Sequence, residues 1–243
     1  MTDHTTKAFD VDLQEIARLV SEMGGLTEKQ IGDSVDALSR QDGPLAQRVI
    51  SLDSKVDALQ REIEEKSVLT IARRQPMAVD LRDVIGALRL ANDLERIGDL
   101  AKNIAKRVPA IDGDVQLQKV MRGVEHMADL VLTQVKDVLD AYARRDLNKA
   151  LAVWRGDEEI DAVNNSLFRE LLTYMMEDPR NITFCTHLLF CAKNIERMGD
   201  HATNIAETVY YIAEGRALTD ERPKGDSTSS TTVPFPAASK ATI

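Results

Sequence analysis

Aromatic residues make up only 4% of this 243-residue chain, and it holds just 7 prolines. The chain is therefore poor in residues that favour strands and in residues that interrupt helices. Long stretches instead repeat their apolar residues with a period of 3.6. The sequence predicts an all-α protein, and its 43% of apolar residues suffice for one large or two small packed cores.

The chain lacks any long block of lysine or arginine, and its formal net charge is -9. Nucleic acid is therefore not expected as a partner. No apolar stretch approaches the roughly 18 residues of a spanning helix, and no basic region followed by an apolar run opens the chain. A soluble protein is expected.

Cysteine is scarce too, with Cys185 and Cys191 as the two examples. So few thiols favour a reducing compartment over a disulfide framework. Six residues apart on a helix, they face different ways, and we expect them to be core thiols.

One stretch of the chain occurs twice. Residues 91–106 and 192–207 are identical at 9 of 16 positions, which identifies an internal repeat. Each copy carries a glutamate and, four residues later, an aspartate, and that spacing places both on one helix face. These acids are Glu95 and Asp99 in the first copy, and Glu196 and Asp200 in the second.

The repeat extends to whole helices, because residues from Leu13 to Asp42 match a series from Leu117 to Asp146 at a constant offset of 104 positions. Short connections predict an antiparallel three-helix bundle in each half. The domains are expected at 1–110 and 111–215, followed by a disordered Ser/Thr/Pro-rich tail over 216–243. The six predicted helices run over about 10–39, 45–74, 79–108, 114–142, 147–177 and 181–214.

The second helix of each half contains a further acid pair, Asp53 with Asp57 and Asp157 with Asp161. If each hairpin turns at its proline, Pro76 or Pro179, the acids of its two helices lie level. Two helices 8–10 Å apart could then bring four carboxylates to one patch. The residue numbers predict that the acids lie at the same height along the two helices. They do not predict which way the side chains face.

Four carboxylates on adjacent helices repel one another unless a cation neutralises them. Either a solvated acidic face or a metal site fits the sequence, and the matched recurrence favours metal. Oxygen ligands without paired histidine or cysteine suit hard ions such as iron, Mn²⁺ or Mg²⁺, in one or several copies. The predicted ligands are Asp53, Asp57, Glu95, Asp99, Asp157, Asp161, Glu196 and Asp200.

His201 follows Asp200 directly, but Leu100 stands at the equivalent place in the first half. We therefore expect His201 to be an incidental neighbour of the acids. No glycine-rich phosphate loop, Gly-x-Ser-x-Gly motif or Cys–His pairing is present. No catalytic residue or organic cofactor is predicted, although a metal-dependent hydrolase or oxidase acting at the acid clusters stays open as an alternative.

Four segments carry a family resemblance: IARRQP at 71–76, DLERIGD at 93–99, LLTYMMED at 171–178 and CAKNIERMGD at 191–200. Together they resemble the PhoU family of phosphate-uptake regulators, in order and over about residues 10–215. The resemblance implies two three-helix bundles, a cytoplasmic and often dimeric protein, and Glu/Asp-x-x-x-Asp motifs that can bind multinuclear metal clusters. Those motifs correspond here to Glu95 with Asp99 and to Glu196 with Asp200.

The resemblance also implies a role. We expect a non-enzymatic negative regulator that keeps the phosphate-starvation response off when phosphate is plentiful. Its expected partners are the ATPase subunit of the phosphate ABC transporter, a sensor histidine kinase and a second copy of itself. It would meet the membrane only through such partners.

Overall fold

The computed structural model describes residues 2–111 and 118–219, and helices occupy nearly all of them. All six predicted helices are present, the fifth of them in two segments. The predicted tail lies outside the described residues beyond position 219, as does most of the linker between the halves. The α-helices are α1 (Thr2–Arg40), α2 (Gly43–Arg74), α3 (Val79–Ala105), α4 (Gln118–Arg144), α5 (Leu147–Arg155), α6 (Asp157–Glu177) and α7 (Ile182–Glu214).

Equivalent residues start the second helix of each half. The Asp42 carboxylate accepts a hydrogen bond from the Leu45 backbone N–H at 2.8 Å, and Asp146 accepts one from that of Lys149 at 3.1 Å. Each aspartate thereby satisfies one of the amides that a helix start leaves without a partner. The offset of 104 residues thus predicts the caps as well as the helices.

The second half departs from the first at Gly156, where one helix ends and the next begins. The Gly156 backbone N–H donates to the carbonyl oxygens of both Ala152 and Val153 at 3.0 Å. The equivalent position in the first half is Leu52, within the uninterrupted α2. The division therefore falls immediately before Asp157, one of the predicted ligands.

One hydrophobic core runs through both halves. The helices of each half pack together, and α3 against α7 and α1 against α4 join the two halves. The α3–α7 contact, here called the seam, is antiparallel: Asp93 contacts Asn204, and Arg107 lies 4.3 Å from the Phe190 ring centre. No described helix is long and apolar enough to cross a membrane.

Close approach at the seam depends on Gly86. A Cβ atom added there would lie 2.3 Å from Ile212 Cδ1 and 2.6 Å from its Cγ1. Real side chains do not tolerate such distances, so a larger residue at position 86 would force the Ile212 side chain or the helix backbones to shift.

We therefore expect Gly86→Val to lower the free energy of unfolding by about 2 kcal/mol through overpacking. Urea denaturation monitored by circular dichroism measures this change. The matched control is Gly25→Ala in α1, where nothing lies within 4 Å of the added Cβ; it should raise stability by roughly 0.5–1 kcal/mol. Equal losses in both variants would show that the seam is not specially tight.

Candidate metal centre: two acidic clusters

The structure brings the predicted helices into nearly the predicted register. A Cβ added to Gly98 would lie 3.5 Å from Val56 Cγ1, and one added to Gly199 would lie 3.0 Å from Ile160 Cδ1. The sequence prediction, with a turn at each proline, instead puts Val56 level with Arg96 and Ile160 level with Arg197. Both halves are therefore displaced by two residues, which is less than one helical turn.

In the first half, the acids of α2 and α3 do meet. We call Asp53, Asp57, Glu95 and Asp99 the first cluster. Lys102, one turn after Asp99, places its Nζ atom 2.5 Å from Asp53 Oδ2 and 2.5 Å from Asp99 Oδ1. A lysine of the chain itself thus bridges the two helices between the carboxylates.

Burial opposes the charge on Lys102, but its hydrogen bonds to Asp53 and Asp99 outweigh that effect. The pKa of Lys102 consequently lies above its ordinary value. The side chain of Lys102 is 20% exposed and that of Asp53 only 10%, so the ion pair is partly shielded from water. Lys102 remains a firmly charged ammonium at neutral pH.

Glu95 has the opposite electrostatic surroundings. Burial raises its pKa, and the negative charges of Asp99 and Asp57 raise it further, against a smaller lowering by Arg96. The Arg96 guanidinium lies 3.6 Å from the Glu95 carboxylate but is itself 57% exposed. The ionised form of Glu95 is therefore held at a cost in the folded protein.

The second cluster comprises Asp157 and Asp161 on α6 and Glu196 and Asp200 on α7. Asp157, Asp161 and Glu196 are all buried. The Thr203 hydroxyl lies 3.3 Å from Asp157 Oδ1, and the Lys193 ammonium lies 2.8 Å from Glu196 Oε1. Thr203 stands where the first half has Lys102, so the two clusters differ in charge at that position.

The donor atoms of both clusters are all carboxylate oxygens, the ligand type that hard cations prefer. Within residues 2–111 and 118–219, however, no three His, Cys, Asp or Glu side chains are placed together as a metal site. In the first cluster, Asp53 and Asp99 are thus joined through Lys102, and metal binding at either cluster stays a prediction.

The sequence predicts His201 to be an incidental neighbour of the acids, but the structure gives it a partner on the other repeat. Its Nδ1 atom lies 2.8 Å from Asp93 Oδ1 across the seam, and Asn204 Nδ2 lies 3.5 Å from the same oxygen. Asp93 is only 8% exposed. The interaction joins the two halves, and a comparison of equivalent positions within each half could not reveal it.

A cavity of 470 Å³ opens beside this contact on the seam. Its polar wall includes Arg89, Asn92, Asp93 and Asn204, and the Arg89 guanidinium lies 4.9 Å from the Tyr211 ring centre. None of the eight predicted ligands lines it.

The two cysteines are buried, and burial raises the pKa of Cys191 to about 12, in keeping with core thiols.

Fold and clusters together define a class: a tandem-repeat helical protein in which each three-helix repeat gathers acids on its second and third helices. The PhoU domain matches the chain twice, over residues 20–108 and 124–209. The chain belongs to the PhoU family.

Relatives match nearly the whole chain. The phosphate-specific transport system accessory protein PhoU homolog of Rhizobium meliloti is 60% identical, over 93% of this chain and 95% of its own length. That of Caulobacter vibrioides is 51% identical, over 93% and 98%. The crystal structure of PhoU from Pseudomonas aeruginosa has 40% identity and a TM-score of 0.79, covering 86% of this chain and 100% of that one.

The raised pKa of Glu95 predicts that Glu95→Gln stabilises the metal-free protein. At pH 7 the gain should be about 1 kcal/mol, because a neutral amide replaces a charge repelled by Asp99 and Asp57. The penalty exists only while Glu95 is ionised, so the gain should shrink as the pH falls through the folded pKa and vanish below the unfolded one.

Chemical denaturation in EDTA across this pH range measures the difference. Asp140→Asn provides a control of opposite sign: hydrogen bonding to Lys149 lowers the pKa of Asp140, so its neutralisation should not stabilise the protein at pH 7. If Glu95→Gln is no more stable than the unaltered chain at pH 7, Glu95 carries no electrostatic penalty.

At the seam, Asp93→Ala should reduce the free energy of unfolding by roughly 1–2 kcal/mol, because His201 and Asn204 lose their shared acceptor. Asp93→Asn keeps an acceptor oxygen and should recover part of that loss. Equilibrium unfolding of both variants tests the contact, and indistinguishable stabilities of Asp93→Ala and the unaltered chain would contradict it.

Proposed function

We propose that this protein is a cytoplasmic negative regulator of phosphate uptake and of the phosphate-starvation response. One observation carries the proposal: both repeats align, at 60% identity, with an accessory protein of the phosphate-specific transport system. Since relatives of this kind are named as accessory proteins, the proposed role is regulatory and not enzymatic.

In this role the chain acts as a helical adaptor. Its proposed partners are the ATPase subunit of the phosphate ABC transporter and a sensor histidine kinase, and the protein itself forms a homodimer. The continuous core and the seam support an adaptor function, because a contact made on one repeat is mechanically connected to the other. Two repeats also provide two related surfaces on which different partners could bind.

The proposed metal sites are the two acidic clusters. Carboxylates gathered on two packed helices repel one another, and a cation held between them would reduce that repulsion. A bound iron, Mn²⁺ or Mg²⁺ ion would neutralise them and leave coordination positions for an oxygen of phosphate or of a partner. Side-chain rotation would have to bring the ligand oxygens of Asp157, Asp161, Glu196 and Asp200 together.

Deleting the gene tests the regulatory role. Phosphate-starvation reporters should then be active in high phosphate, because nothing connects transporter status to the kinase. Re-expression of the unaltered chain should silence them. Silent reporters in the deletion strain would refute the role.

A tagged chain expressed at native level tests the adaptor. Affinity capture from cells in high phosphate should recover the transporter ATPase and the kinase, identified by mass spectrometry, and capture at low phosphate should recover less of them. A matched control is the Gly86→Val chain, whose seam is disturbed while the residues of both clusters are unaltered.

The alternative function, a metal-dependent hydrolase, is tested on purified, metal-loaded protein. Turnover of phosphate esters that is lost in Asp200→Ala would favour this alternative.

A further inference from the structure

We propose that the exposed side of the seam is a docking surface for an acidic helix of a partner protein. The surface, here called the arginine groove, is formed by Arg89, Arg96 and Arg107 of the first repeat and by Arg197 of the second. The inference goes beyond the proposed function, since it concerns the seam and not the acidic clusters, and it holds for the purified chain whichever protein supplies the helix.

Arginines recur along α3 at intervals of seven residues, at Arg82, Arg89 and Arg96. Seven residues are nearly two helical turns, so these side chains leave the helix on the same face, about 10 Å apart. Two of them reach the C-terminal end of α7: the Arg89 guanidinium lies 4.9 Å from the Tyr211 ring centre, and a Cβ atom added to Gly215 would lie 2.9 Å from Arg82 Nη1. This face of α3 therefore borders the seam.

A row on α7 has the same spacing of seven residues. It consists of Phe190, Arg197, Asn204 and Tyr211. Phe190, Asn204 and Tyr211 all contact the first repeat. Arg197 stands between Phe190 and Asn204 on the same helix face, so it borders the groove as well.

The arginine groove holds positive charge that the described chain does not neutralise. Within residues 2–111 and 118–219, neither Arg89 nor Arg197 forms an ion pair, and both are exposed. Arg96 is 57% exposed, and its pair with the adjacent Glu95, at 3.6 Å, is a weak surface contact. In a chain with 40 acidic and 31 basic residues, such a row of arginines is open to carboxylates from another molecule.

Aromatic rings hold two of the arginines in position. Arg89 lies over Tyr211 and Arg107 over Phe190, and Arg107 Nη1 is also 3.2 Å from His187 Nδ1. A ring engages the flat face of a guanidinium and leaves its N–H edges available to a carboxylate. These two arginines are therefore positioned before a partner binds.

The groove also offers apolar contacts. Phe190 is 52% exposed, and the 470 Å³ cavity beside Arg89 has Ile85, Leu88 and Leu218 in its wall. A ligand that fills both positions needs apolar side chains as well as carboxylates. An amphipathic helix that carries acids and leucines meets this requirement.

Acidic side chains at the groove argue against a uniform polyanion such as nucleic acid or polyphosphate. Asp93 and Glu207 line the same cavity as Arg89, and they would repel closely spaced phosphates. A helix can instead place its acids only opposite the arginines. Because the arginines of α3 recur every seven residues, glutamates at heptad spacing on a partner helix match them.

Peptide binding by the purified full-length chain tests the inference. The probe is a fluorescein-labelled helical peptide about three heptads long, with glutamates at heptad spacing on one face and leucines beside them. The matched peptide has glutamine in place of every glutamate. Fluorescence anisotropy in EDTA should show saturable binding of the acidic peptide, at least about tenfold tighter than that of the glutamine peptide. This difference should shrink as the salt concentration is raised.

Glutamine substitutions locate the bound peptide. Arg89→Gln, Arg96→Gln and Arg197→Gln should each weaken binding of the acidic peptide about two- to fivefold, and the triple variant should weaken it about tenfold or more. Arg61→Gln removes an exposed arginine of α2, which is not part of the seam, and should leave the affinity unchanged. Circular dichroism checks that each variant is folded, and the single variants decide the question if the triple variant is not.

Equal affinity for the two peptides would overturn the inference, and so would a loss of affinity in Arg61→Gln as large as in the seam variants. Inorganic polyphosphate that binds the same arginines more tightly than the acidic peptide would show a polyanion site instead. If light scattering finds a dimer for the unaltered chain and a monomer for the triple variant, a second copy covers the groove and the inference is wrong. Silent reporters in the deletion strain would refute the regulatory role without affecting these binding measurements.

Discussion

Repulsion between carboxylates on neighbouring helices is the constraint that shapes both repeats. Each repeat places four acids on its second and third helices, and the packing of these helices in the shared core prevents them from moving apart. Compensating positive charge must therefore be supplied locally. In the first repeat the chain supplies it through Lys102, between Asp53 and Asp99.

Duplicated repeats keep a shared architecture while individual positions diverge. The helix caps at Asp42 and Asp146 are equivalent and perform the same task. By contrast, Lys102 has become Thr203 and Leu52 has become Gly156, and both changes lie beside the acids. Two of the differences between the repeats thus lie beside the acids, while the α3–α7 and α1–α4 contacts join the two halves.

Periodicity, the repeat and two prolines were enough to predict the fold, and to predict the helix register to within two residues. The register differs by two residues because neither turn is centred on the predicted point. In the first half Gln75 and Ala78, on either side of Pro76, have positive φ values of 49° and 48°, and in the second half a 3₁₀ helix spans Pro179–Asn181. The division at Gly156 was missed since glycine alone does not end a helix. Acids of both clusters nevertheless lie within one turn of their predicted partners.

The missed interactions have a common cause. Symmetry within a hairpin predicts which acids lie level with one another. It does not predict the role of Lys102, which stands one turn further along the same helix, three residues after Asp99. Symmetry within a hairpin also cannot describe contacts between the repeats. For this reason it does not predict the contact of His201 with Asp93. A search for basic residues three or four positions from each acid would have found Lys102. Only the packing of α3 on α7 could have shown the partner of His201, because that contact joins residues 108 positions apart.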